Sequence, residues 1–236
     1  MPKFNILKFT SLSSTNQYAL EHLAELNDRA VIVSEEQTGG RGRLDRRWLS
    51  PPGQNIYCSI VLKNLTDKPA LLTILAALAA AETLRSHAVP AGLKWPNDVL
   101  VKDKKICGIL AEANTQGLVL GLGLNVNMPA AMLAQIGQPA TSLLAETART
   151  FDREQLLNEL LEKFFTFYEH ILARGFAYIV KIWQNELHII GKEVHIQTGQ
   201  KEFRGVVTGI GEDGALIVET AQGPEKILAG DVHVVG

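Results

Sequence analysis

Near residue 188 the chain changes texture, and that change limits the folds open to it. Downstream there are only short β-rich runs: Val194 to Ile196, Phe203 to Val207, Ala215 to Val218, Lys226 to Leu228 and Val232 to Val234, split by Gly, Asp and Gln. This spacing predicts a small β-barrel. Upstream, helical and strand-like patterns are mixed. The expected class is α+β, divided into a larger unit at 1–187 and a small one at 188–236. About 49 residues are few for a self-sufficient core, so the small unit is expected to lean on the large one.

In the larger unit, residues 4–10 read as a strand and Ser14 to Leu26 as a helix with Ala19, Leu23 and Leu26 on one face. Val31 to Val33 and Ile56 to Leu62 read as strands. Asp67 can cap a helix that holds Pro69 in its first turn and runs to Ser86. Leu93 to Val101, Lys105 to Ala113 and Leu118 to Val126 suggest meandering strands. The clearest helix spans 152–174: Leu156, Leu157, Leu160, Leu161, Phe164, Tyr168 and Ile171 recur at helical spacing, and Gly175 suits its stop. A last helix is expected from Phe176 to Leu187.

Composition removes several classes. The 236 residues are 46% hydrophobic and 20% charged, which excludes wholesale disorder. A net charge of −2 speaks against a surface that grips nucleic acid everywhere. Two cysteines, Cys58 and Cys107, make no disulfide scaffold and suit a reduced, cytoplasmic setting. The N-terminus lacks a signal-peptide core. The apolar stretch from Ala70 to Ala81 falls short of the roughly 20 residues that span a bilayer.

Three segments carry candidate chemistry. Between Gln37 and Asn55, four of the chain's ten arginines (Arg41, Arg43, Arg46, Arg47) lie among Gly39, Gly40 and Gly42. Glycines let backbone approach a ligand, and guanidinium groups suit phosphate and carboxylate, so this loop reads as an anion clamp. A solvated basic loop is the plainer alternative. It is not a P-loop, since no GxxxxGK[ST] occurs. Lys94 to Asp98 and Lys105 to Ile109 place lysines on apolar strands, either as stabilisers of a reacting group or as edge-strand solubilisers. Gly121 to Asn127 is a strand of small residues in which Asn125 offers a donor and an acceptor; a buried strand with a bulge is the alternative. Gly209, Gly211 and Gly214 match GxGxxG, but no helix follows and they read as turn glycines. The six histidines show no metal-ligand spacing, and no nucleophile grouping stands out.

Taken in order, Ser14-Thr15-Asn16, GRGRLDRRW (40–48), SPPGQN (50–55), KWPND (94–98), KKICGIL (104–110) and GLGLNVN (121–127) resemble the successive motifs of the biotin–protein ligases. The resemblance implies a mixed-sheet catalytic domain of the biotin/lipoate ligase type, class II synthetase-like, with an SH3-like C-terminal barrel. It also implies ATP-dependent formation of biotinyl-5′-AMP, with Mg²⁺, and transfer of biotin to a lysine of a biotin carboxyl carrier protein. By the same match Arg43 and Lys105 are the catalytic cations. Ser14, Thr15, Asn16, Gln37, Gly40, Arg41, Gly42, Arg43, Lys105 and Gly108 would bind biotin. Arg43, Arg46, Trp48, Lys94, Asn97, Asp98 and Asn125 would bind ATP. No residue is assigned as a metal ligand.

Two departures stand out. Asp45 replaces a glycine common in the family, and only 13 residues precede Ser14, which suggests the ligase-only type without a DNA-reading domain. Neither nucleic acid nor membrane is expected as a partner, and a homodimer is left open. Basic residues of the small unit such as Arg204 are candidates to help close the nucleotide site. The rival readings are a lipoate or octanoate ligase or transferase, whose aliphatic substrate tail would leave the polar set of Ser14, Thr15, Asn16 and Gln37 unpaired, and a nucleic-acid-binding module built on the arginine loop.

Overall fold

The computed structural model describes residues 4–64, 67–199 and 201–235. In chain order the elements are β1 (Asn5–Leu12), α1 (Thr15–Glu21), β2 (Ala30–Gln37), β3 (Ile56–Leu62), α2 (Pro69–Ser86), β4 (Gly92–Lys94), β5 (Asp98–Val101), β6 (Lys104–Asn114) and β7 (Gly117–Leu124). Then come α3 (Ala130–Leu133), α4 (Leu143–Thr147), α5 (Arg153–Arg174), α6 (Ala177–Glu186) and the strands β8 (Glu193–Thr198), β9 (Lys201–Ile210), β10 (Leu216–Thr220), β11 (Gly223–Ile227) and β12 (Asp231–Val234). The first seven strands form a mixed sheet in the order β1-β2-β3-β7-β6-β5-β4, in which β1 and β2 are parallel. The last five form an antiparallel sheet, β11-β10-β9-β8-β12, open between β11 and β12.

Every residue of β3 (IYCSIVL) is buried, because both faces of the sheet are covered there. Cys58, Ile60 and Leu62 join the main core with α2 and α5, while Val61 packs with Ala19 and Leu23 of the α1 segment on the other face. Strand β7 divides the same way. Leu118, Leu120, Leu122 and Leu124 enter the main core, so Gly121 and Gly123 face the opposite side. Helix α2 is apolar all round because it is enclosed: although long and apolar enough by composition to cross a membrane, it is largely buried inside the protein. Helix α5 starts at Asp152, whose side chain accepts from the N–H groups of Glu154 and Gln155, and stops at Gly175, close to the expected bounds.

Three local expectations change. Helix α1 ends at Glu21, five residues early. The chain tightens there into turns in which the N–H groups of Glu25 and Leu26 both reach His22 O, yet Leu23 and Leu26 keep their apolar packing. Asp67 does not cap α2. The cap position is Lys68, without a side-chain bond, and Pro69 at the start removes one N–H that would otherwise need a partner. The run from Leu93 to Val101 splits into the β4–β5 hairpin because Trp95-Pro96-Asn97 makes the turn, which sets Lys94 opposite Asp98. The meander itself, β4-β5-β6-β7, is as expected.

The five-stranded sheet shares its core with the larger unit. Val194, Ile196, Val207, Leu216 and Val232 belong to the same contiguous apolar cluster as α2 and α5. One indole ties the two units together, Trp95 Nε1 donating to Gly214 O (3.1 Å); within the larger unit Trp183 Nε1, on α6, donates to Ile74 O on α2 (2.9 Å). The helical core should therefore be sensitive to truncation. Leu160→Ala, at a fully buried position, is expected to cost about 2–5 kcal/mol in urea unfolding. Leu172→Ala, at a position 40% exposed on the same helix, should change stability by no more than about 0.5 kcal/mol.

Candidate active site

The glycines of β7 face a cleft of about 250 Å³ that opens above β6 and β7. Its walls come from the start of α1, the end of β2, the Gly/Arg loop, the β4–β5 turn and, from the small sheet, Gly230 to His233. Register pairs Gly108 with Gly123 and Leu110 with Gly121 across β6 and β7. A methyl group on Gly121 would overlap Asn16 Oδ1, and one on Gly123 would overlap the Trp48 indole. The two glycines are thus the room that Asn16 and Trp48 need.

At one end of the cleft lies a bonded polar cluster. Ser14 caps α1, its hydroxyl accepting from Gln17 N. Thr15 donates to Gln37 Oε1 through its N–H (2.9 Å) and lies within reach through its hydroxyl (3.1 Å), and Gln37 Nε2 donates to Ser50 Oγ (3.1 Å). Ser59 Oγ sits 2.7 Å from Thr15 Oγ1 and 2.6 Å from Asn16 Oδ1. Asn16 Oδ1 can only accept, so the single Ser59 proton goes there. Asn16 Nδ2 donates to Leu110 O and to Glu112 Oε2. Each polar side chain has its orientation set by a neighbour, the condition for recognising a polar ligand with small reorganisation.

At the other end lie the cations. The loop folds back on itself: Trp48 N donates to Gly40 O, Gly42 N to Arg46 O and Arg46 N to Arg43 O. Leu44 at the tip is 73% exposed with φ of 54°. Arg43 turns inward and donates to Asn97 Oδ1 (3.1 Å), while Asn97 Nδ2 donates to Ile109 O. Burial lowers the pKa of the Arg43 guanidinium, while Asp231 and Asp98 oppose that shift. Lys105 Nζ lies 2.6 Å from Asp98 Oδ1, an ion pair inside the cleft. The same ammonium sits 5.4 Å from the Trp48 ring centroid, within cation–π range. Arg41 pairs loosely with Glu112 (3.7 Å), and Arg46 pairs with Asp231 of β12 (2.5 Å).

A second cavity, of about 290 Å³, lies beyond Trp48 and includes Asn125 and residues 135–138 in its wall. Arg47, Trp48, Lys105 and Gln138 line both cavities. Trp48 Nε1 is buried beside Gly123 without a hydrogen-bond partner among the described residues.

Among the residues singled out from sequence, Ser14, Thr15, Asn16, Gln37, Arg41, Gly42, Arg43, Arg46, Trp48, Lys94, Asn97, Asp98, Lys105 and Gly108 all line the first cavity. Gly40 lies behind it, where a side chain would strike Ser50 Oγ and Trp48 O, and Asn125 lines the second cavity. Arg204 lies on β9 opposite His195 and lines neither; the small sheet reaches the cleft through Gly230 to His233 instead. Ser59, Glu112, Gln138 and Asp231 were not legible as site residues. Glu112 follows Gly108 and Leu110 at strand spacing, which is a usable signal. Asp231 is 185 residues from Arg46, and nothing local marks it.

Burial pushes the thiols of Cys58, to about 12, and of Cys107 upward, so neither supplies a thiolate. Among the described residues no three His, Cys, Asp or Glu side chains converge as a metal cage. Asp98, the cleft carboxylate paired with Lys105, would become available to a divalent ion once Lys105 turned to an anion, and an ion carried on phosphates needs few protein ligands. The arginine loop is tied to the small sheet through Arg46 and Asp231. Asp231→Ala should therefore speed limited proteolysis between Gly42 and Trp48 several-fold, with cleavage sites read by mass spectrometry.

Comparison with known proteins gives the family. The model of the Biotin/lipoate A/B protein ligase family matches residues 8–128, and that of the Biotin protein ligase C terminal domain matches residues 189–235. The biotin–[acetyl-CoA-carboxylase] ligase of Paracoccus denitrificans is 33% identical over 235 residues, covering 94% of this chain and 98% of that one. The bifunctional ligase/repressor BirA of Bacillus subtilis is 32% identical over 234 residues, covering 94% of this chain and 72% of its own length. The structure of biotin protein ligase from Aquifex aeolicus in complex with biotin and ATP superimposes with a TM-score of 0.85 at 28% identity, covering 98% of both chains. The chain therefore belongs to the biotin/lipoate A/B protein ligase family, as one of its biotin–protein ligases.

Proposed function

We propose that biotin lies in the first cavity, that the adenine of ATP lies in the second, and that the reacting atoms meet at the wall the two share. The observation that carries this reading is adjacency: one cleft holds a polar cluster of fixed orientation at one end and Arg43 and Lys105 at the other. A ureido ring leaving water needs donors and acceptors already in place. Ser14, Thr15, Asn16 and Gln37 supply them, with Ser59 and Glu112 holding their orientation. The tail then runs over Gly108 and Gly121 towards the cations, with Arg41 and Gly42 beside it.

In the first step a carboxylate oxygen of biotin attacks the α-phosphorus of ATP. A carbon–oxygen–phosphorus anhydride forms, the bond to the β-phosphate oxygen breaks, and pyrophosphate leaves. Two unit anions about 4 Å apart repel by ~4 kcal/mol at an effective dielectric near 20. Arg43 and Lys105 offset this, and their effect grows as charge develops in the transition state. To do so Lys105 trades its contact with Asp98 for one with the substrates. Bound Mg²⁺ would supply charge neutralisation on the departing pyrophosphate, held by Asp98, with Arg46, Lys94 and Asn97 lining the same end. Trp48 gives adenine a flat surface and its free indole N–H a donor. The closed arginine loop keeps water from the anhydride.

In the second step the amine of a carrier lysine attacks the acyl carbon, an amide forms, and AMP leaves with the electrons of the acyl–oxygen bond. No enzyme nucleophile is needed, in keeping with the protonated thiols. The carrier is a biotin carboxyl carrier domain, as the name of the Paracoccus relative suggests, and the free sheet edges β1 and β4 offer it strand pairing. The division into a catalytic unit at 1–187 and a cover at 188–236 follows the two sheets. Two free buried cysteines suit the cytoplasm.

Calorimetry should show biotin binding and no comparable binding of lipoate; the reverse preference would replace this reading with the lipoate one. Arg43→Ala or Lys105→Ala should slow biotin-dependent pyrophosphate release at least ~10²-fold. Gly121→Ala, which displaces Asn16, should weaken biotin binding by about tenfold or more in the same calorimeter, as the loss of one ordered polar contact does.

A further inference from the structure

Asn55 lines neither of the two cavities, is fully buried, and has no place in the mechanism above. Its hydrogen bonds have a direction that is not free. Val126 N donates to Asn55 Oδ1 (2.9 Å). A main-chain N–H cannot accept, so the carbonyl end of the Asn55 amide must face it, and Nδ2 faces the other way. There it donates to Asn125 Oδ1 (3.2 Å). Asn125 Nδ2 in turn donates to Thr141 O (3.0 Å), which can only accept. Both ends of the chain are main-chain groups, so the order carbonyl–amine–carbonyl–amine is the one arrangement that pairs every atom. The Asn125 backbone is anchored as well, by its N–H on Ile106 O and by Leu143 N on its carbonyl.

We propose that Asn55 is a positioning residue for nucleotide-base selection: it holds the Asn125 amide in one of its two orientations at the second cavity. The inference rests on the reading that adenine occupies that cavity. After its internal bonds Asn125 keeps one Nδ2 hydrogen and one Oδ1 lone pair, a donor and an acceptor in fixed order. Adenine offers a donor and an acceptor side by side on one edge, whereas guanine offers two acceptors there. A held amide matches adenine and sets its oxygen against an oxygen or nitrogen lone pair of guanine. Without the Asn55 donor only Thr141 O still orients the amide, so adenine's donor–acceptor pair is matched less well, while guanine's two acceptors are matched in neither orientation and the preference shrinks.

Asn55→Asp tests this with little change in volume. The carboxylate still accepts from Val126 N but has no hydrogen for Asn125. In steady-state pyrophosphate release at saturating biotin, the KM for ATP should rise about tenfold or more, with kcat within about twofold and the KM for biotin unchanged. The preference for ATP over GTP in kcat/KM should fall by a similar factor. Thermal melts check the fold, and Asn55→Ser, which keeps an acceptor for Val126 N, should behave alike if Asn55→Asp is unstable. Unchanged ATP KM and base preference in a folded variant overturns the proposal. So does a loss of kcat that raises both KM values together, the mark of a merely structural residue. Asn125→Ala is run in parallel. If it too leaves the ATP KM unchanged, adenine is not read there and the parent reading fails; if it raises that KM while Asn55→Asp does not, only the positioning role fails.

Discussion

The site depends on one strand that has to satisfy two opposite demands. Strand β7 places leucines on the face that closes over α2 and glycines on the face that forms the cleft floor. The leucines remove apolar surface from water and fix the strand in the sheet. The glycines leave that other face without side chains, and Asn16 and the Trp48 indole occupy the space. A larger residue at either glycine would push against groups that are themselves held by neighbours. Binding room is thus built into the hydrogen-bonded sheet, and the arginine loop is laid over it.

Charge is managed by pairing. Four cations of the cleft have a polar or acidic contact: Arg43 with Asn97, Arg46 with Asp231, Lys105 with Asp98 and Arg41 with Glu112. Such contacts hold guanidinium and ammonium groups in a partly dry cleft before any anion arrives, when bare like charges would spread apart. An incoming phosphate then exchanges one partner for another and does not have to organise the cations itself. The small sheet enters the chemistry in the same way, with an acidic residue where sequence reading looked for basic ones. Asp231 draws Arg46 across the cleft mouth, so the C-terminal sheet acts on the loop while its own core merges with that of the larger unit.

Several elements were legible because local pattern and tertiary environment agreed. Helix α5 has an acidic cap, a helical stripe of apolar side chains and a terminating glycine, and each of these acts over a few residues. Strand β3 is apolar but for Ser59 and is buried on both faces. The motif residues converged on one cleft because the loop, the β4–β5 turn and the β6–β7 floor each contribute a contiguous piece. Where pattern and environment diverged, the reading slipped: the α1 segment keeps its apolar contacts in turns as well as it would in a helix, and the β4–β5 run hides a turn inside an apolar stretch.

Sequence by itself determined the α+β class, the change to short strands near 188, the order of the motifs and the residue types that the chemistry needs. These follow from periodicity, turn chemistry and charge, which act over neighbouring residues. Only the tertiary structure decided that Ser59 orients Asn16, that Trp48 stands between two cavities, that Asp231 holds Arg46 and that Asn55 sets the direction of the Asn125 amide. Those contacts join residues 43 to 185 positions apart. A hydrogen bond or ion pair across such a distance exists only once the sheet has brought its ends together, and no local pattern in the chain encodes it.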